Sequence, residues 1–190
     1  MKNRKLINIV LSAMFLGLGL VLPLLTGQIQ QIGNMLLPMH IPVFLCGLIC
    51  SWQYGFIIGA ILPILRSLLF TMPILYPTAI AMSFELATYG LVVGLMFSKA
   101  RWQCVRSLFR SMIVAMISGR IVWAVAQMCL LGIGTDGFTL QMFVSGAFLN
   151  AIPGIVLQFI LIPSIMLVLD RTHLVPMKKH NKLGDKANAK

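Results

Sequence analysis

Charge in this chain is confined to the ends of long apolar runs. Of the 15 Lys and Arg residues, all but Arg66 and Arg120 lie in the first five positions, between Lys99 and Arg110, or from Arg171 onward. The runs between those stretches are of the length that a hydrocarbon core of about 30 Å demands of a helix. Charged residues make up 10% of the chain, against about 25% in a typical soluble domain, and the mean hydropathy is +0.95. Such a chain is an integral membrane protein. Its net charge of +11 sits at helix ends rather than in a surface patch, which argues against nucleic-acid binding.

Six spans are expected, at roughly 6–26, 39–52, 55–71, 78–98, 107–131 and 143–169. The second begins among Pro38, His40 and Pro42, so an irregular entry is expected there. No stretch alternates apolar and polar residues as a barrel strand does, and only helices otherwise satisfy their backbone in lipid. The expected fold is all-α, a six-helix integral membrane bundle over residues 1–172. A basic, Lys- and Asn-rich tail, 173–190, is expected to be disordered. With six spans both termini share a side, and the three basic stretches make that side the cytoplasm. The opposite loops, 27–37, 71–77 and 132–141, hold no Lys or Arg. The N-terminal run lacks a small-x-small cleavage site after Pro23 and is expected to be retained as the first helix.

Several chemistries find no support. Cys46 and Cys50 are four apart in an apolar run, as packing residues would be, and no Cys/His spacing suits zinc. The chain has no GxxxxGK[ST] loop for ATP and no GxSxG elbow. Neither a metal nor a cofactor is expected. A standalone membrane enzyme and a structural or assembly protein stand as alternatives to a binding protein. Tight stoichiometric binding without turnover separates a binding protein from the enzyme, and for a structural protein Arg120→Ala would lower stability without selectively abolishing ligand binding.

Ionisable side chains at membrane depth are costly, and they pair, line a cavity, or do both. Here they are Arg66, Glu85 and Arg120. At 1.5 Å per helical residue, Arg66 and Glu85 lie about 8 and 10 Å from the outer ends of their spans. Asn150 lies at similar depth, Arg120 nearer the middle, and His40 at the outer mouth of the second span. These groups describe a pocket in the outer half of the bundle. Two arginines against one carboxylate leave positive charge for an anionic ligand. The alternative is an Arg–Glu pair stitching spans three and four, with Arg120 on backbone carbonyls or Asn150. Tyr76, Tyr89, Trp123, Gln127 and Gln158 are further candidates for the cavity wall, or else interface anchors and interhelical hydrogen bonds. In the first span, Ala13 and Gly17 form a small-xxx-small spacing that lets another helix approach.

Segments along residues 6–170 resemble the substrate-specific (S) components of energy-coupling factor (ECF) vitamin transporters. They are Leu37-Pro-Met-His-Ile-Pro-Val43, Cys46-Gly47, Trp52-Gln-Tyr-Gly55, Leu62-Pro-Ile-Leu-Arg-Ser67, Tyr76-Pro-Thr-Ala-Ile-Ala-Met82, Phe84-Glu-Leu-Ala-Thr-Tyr-Gly90, Gly119-Arg-Ile-Val-Trp123 and Ala151-Ile-Pro-Gly-Ile155. The resemblance implies a multi-pass protein of a bacterial plasma membrane that binds one vitamin or precursor from outside. It implies three partners: a transmembrane coupling protein and two ATP-binding-cassette ATPases, which drive the S component to topple and release its ligand inside. Ala13 and Gly17 match the family's small-residue contact with the coupling protein, with Gly in place of the second Ala. The likeness points to pantothenate-type members. Pantothenate suits Arg66 or Arg120 together with Asn150 and Glu85, while folate, riboflavin and hydroxymethylpyrimidine stand as alternatives. The expected substrate-binding set is Arg66, Glu85, Arg120, Asn150, His40, Tyr89, Trp123 and Gln127.

Overall fold

A computed structural model describes residues 2–25, 37–100, 102–132 and 152–172. In chain order the helices are α1 (Lys2–Leu25), α2 (His40–Ile49), α3 (Trp52–Phe70), α4 (Ile80–Lys99), α5 (Val105–Leu131) and α6 (Ile152–Arg171). A wide helical turn, Leu75–Ala79, leads into α4. The described residues are all helix and connection, and five helices are long and apolar enough to cross a membrane. The expected loop around Gly27–Asn34, Asn150 and the tail after 172 lie outside the described residues.

The second expected span is where the structure differs most. Helix α2 has ten residues, about 15 Å of rise, half of a typical core. Its apolar run does not continue as helix to position 52. Cys50 closes it, and Ser51, with φ of 125°, turns the chain so that α3 starts at Trp52. Every residue from His40 to Leu48 is buried. A helix apolar on all sides belongs inside a bundle, and α2 fills the middle of this one.

The packing around α2 depends on small residues. A Cβ on Gly90 of α4 would stand 2.2 Å from the Gly55 carbonyl oxygen of α3, backbone that cannot move aside. One on Gly47 of α2 would meet the Gly90 carbonyl oxygen at 2.6 Å. Three helix backbones thus approach within a distance that only glycine permits. Phe44, Leu62, Leu86, Val93, Leu108, Met112, Ile162 and Met166 complete a closed core. At the other end of α2, Asn8 Nδ2 donates to the Cys50 carbonyl at 2.9 Å. Cys46 Sγ lies 3.6 Å from Ser12 Oγ. Both thiols are buried and unbridged. These bonds fix α1 against the end of α2 remote from His40.

Candidate functional site

Glu85 and Tyr89 are one turn apart on α4 and therefore share a face. Tyr89 Oη donates to Glu85 Oε1 at 2.7 Å. From α5, Arg120 Nη1 reaches the same oxygen at 3.0 Å. His40, the first residue of α2, places Nε2 3.9 Å from it, beyond hydrogen-bonding distance. The His40 and Tyr89 rings are tilted with centroids 5.3 Å apart, and Tyr89 stacks on Phe44 at 5.2 Å. Three helices thus converge on one carboxylate that is 2% exposed.

Next to this cluster lies a cavity of about 280 Å³. Its polar wall is His40, Tyr89, Arg120 and Gln158. Its apolar wall is Leu37, the α5 row Ile113, Ile117 and Ile121 with Met116, and Ile155 and Phe159 of α6. Both ring nitrogens of His40 and Nε2 of Gln158 are buried without a hydrogen-bond partner. Each residue is only 1% exposed. An unmade hydrogen bond at a buried group costs about 1–3 kcal/mol. Buried orphan groups on a cavity wall are what a site awaiting a polar ligand presents. Among the described residues, no three of His, Cys, Asp and Glu gather as a metal-binding group.

Of the residues anticipated from sequence, His40, Glu85, Tyr89 and Arg120 come together. Arg66 does not join them. Its Nη1 donates to the Leu20 carbonyl of α1 at 2.9 Å, and its guanidinium lies 5.4 Å from the Phe70 ring. Arg66 therefore ties α3 to α1, and the buried ion pair joins α4 to α5 instead of spans three and four. Trp123 is half-buried on α5, and neither it nor Gln127 lines the cavity. Gln127 is buried, with Oε1 unpartnered. Tyr76 hydrogen-bonds the Leu130 carbonyl and so links the turn before α4 to the end of α5.

The apolar lining was not anticipated. Ile113, Ile117 and Ile121 recur every four residues and are 46%, 58% and 58% exposed. That row has the pattern of a lipid-facing stripe, so nothing in the sequence marks it as cavity wall. Gln158, named from sequence as a candidate for the cavity wall, does line it.

A model of the ECF transporter substrate-specific component family matches residues 8–166. The chain belongs to that family. No curated protein and no solved structure matches it. The protein is thus a substrate-specific membrane subunit of an ECF transporter, and the family is one of transport components, not enzymes. Its matched region contains all six described helices apart from the first six residues of α1 and the last five of α6.

Proposed function

We propose that this chain is the vitamin-binding subunit of an importer in a bacterial plasma membrane. It has six hydrophobic helices, with α2 as a half-length member, and both termini in the cytoplasm. One vitamin or vitamin precursor occupies the cavity between α2, α4, α5 and α6. The coupling protein and two ATP-binding-cassette ATPases supply the work that this chain, lacking a phosphate loop, does not perform.

The observation that carries the reading is the pairing of a 280 Å³ cavity with orphaned donors and acceptors on His40 and Gln158. With about 30 Å³ per water-sized group, the 280 Å³ space suits a molecule of roughly nine or ten non-hydrogen atoms. Hydroxymethylpyrimidine is of that scale, and pantothenate is somewhat larger. Folate and riboflavin are far larger. The docking face of α1 has support as well: Ala13 is exposed, and a Cβ on Gly17 would meet nothing within 4 Å.

The test is uptake of radiolabelled vitamins by cells carrying this chain with a coupling protein and its ATPases. Uptake of one vitamin that needs both this chain and active ATPases is expected. Equal uptake of every vitamin with and without the chain would contradict the proposal.

A further inference from the structure

Taking the cavity as the substrate site, we infer that its ligand carries no net charge and concentrates its hydrogen-bonding groups on one edge. The first argument is the placement of charge. Glu85 and Arg120 neutralise each other at 3.0 Å, and Arg66 is engaged by the Leu20 carbonyl on the far side of α3. Among the described residues, the positive surplus counted from the sequence is therefore not at the cavity. The Glu85–Arg120 pair beside the cavity therefore carries no net charge. A carboxylate ligand would add a negative charge that the already neutralised Glu85–Arg120 pair does not balance, beside a wall rich in isoleucine, and an unpaired charge in such surroundings is strongly disfavoured.

The second argument is the inventory of unused groups. Gln158 Nε2 is a donor without an acceptor, so the ligand presents a carbonyl, ring nitrogen or hydroxyl oxygen to α6. Each imidazole nitrogen can donate or accept a hydrogen bond, and both nitrogens of His40 stand unused. The ligand edge near α2 therefore presents at least one group of donor or acceptor character. Opposite, the row Ile113, Ile117 and Ile121 offers only hydrocarbon. The molecule that satisfies both walls is compact and uncharged, with an apolar flank and an amide-like or heteroaromatic edge. Gln158, rather than either arginine, is then the residue that selects among uncharged ligands.

The experiment uses the full chain purified in detergent and the water-soluble small molecules of yeast extract. The extract is passed at neutral pH through an anion exchanger and, separately, a cation exchanger. Each fraction is assayed for raising the thermal unfolding midpoint. Stabilising activity is expected in the flow-through of both columns. The dose needed is expected to rise at least tenfold for Gln158→Leu and for the close isostere Gln158→Met, whose unfolding midpoints without extract report whether they fold. Activity retained by either exchanger, or unchanged potency on folded Gln158 variants, overturns the inference while leaving the cavity a binding site. If no fraction stabilises the protein, the binding reading itself fails, and the inference falls with it.

Discussion

A methyl group on Gly119 of α5 would stand 2.2 Å from the ring of Tyr89 on α4. Tyr89 is 2% exposed and stacked on Phe44, so making room for that methyl displaces the ring toward the cavity it borders. The close approach at Gly119 is what brings the next residue, Arg120, to 3.0 Å from Glu85. Gly119→Ala is expected to destabilise the protein by about 1–3 kcal/mol, as overpacking does. It is also expected to weaken ligand binding at least tenfold, because Tyr89 and Arg120 shift together. Thermal unfolding and ligand titration on the purified variant check both effects.

Removing one member of the Glu85–Arg120 pair leaves a buried charge without its partner. Glu85→Gln or Arg120→Met alone is expected to cost about 3–5 kcal/mol, and the double variant much less than the sum. A double-mutant cycle on unfolding free energy measures this. Additive single and double effects would show that the two residues do not act as a pair.

Arg66 is expected to serve helix packing rather than ligand binding. Its guanidinium holds the Leu20 carbonyl at 2.9 Å and lies outside the cavity lining. Arg66→Leu is expected to lose about 1–3 kcal/mol of stability, the scale of a hydrogen bond to a charged group. Ligand affinity is expected to stay within about threefold of the parent, which lies under the tenfold that 1.4 kcal/mol represents. Isothermal titration on the folded variant reads that affinity directly.

Two glycines predict opposite outcomes. Gly90→Ala drives a methyl into the Gly55 carbonyl and is expected to prevent recovery of folded protein. Gly17→Leu enters open space on α1. It is expected to leave the unfolding midpoint and ligand binding intact while blocking co-purification with a coupling protein. Size-exclusion profiles of the variants, alone and co-expressed with partners, distinguish the two.

The distribution of charge and hydropathy was enough to read an all-helical membrane protein from the sequence. It also selected Glu85, Arg120, His40 and Tyr89, because ionisable and aromatic groups stand out in apolar runs. Position along a helix is legible in this way, whereas the direction a side chain faces is not. Arg66 and Glu85 are expected at comparable depths, yet Arg66 turns toward α1 and Glu85 toward α5. The end of α2 was hidden because Ser51 takes its positive φ with no glycine or proline to announce it. The isoleucine row of the cavity was hidden because the same residues suit lipid. Which glycines are indispensable also required the structure, since Gly17 and Gly90 look alike in sequence and differ only in what surrounds them.

The most direct test of a substrate cavity at His40, Arg120 and Gln158 is native mass spectrometry of the protein released gently from ligand-replete membranes. A single small molecule bound about one to one is expected on the parent chain, and its loss is expected on the double variant His40→Ala/Gln158→Leu. A bare parent chain, or a bound molecule retained undiminished by that variant, would contradict the assignment.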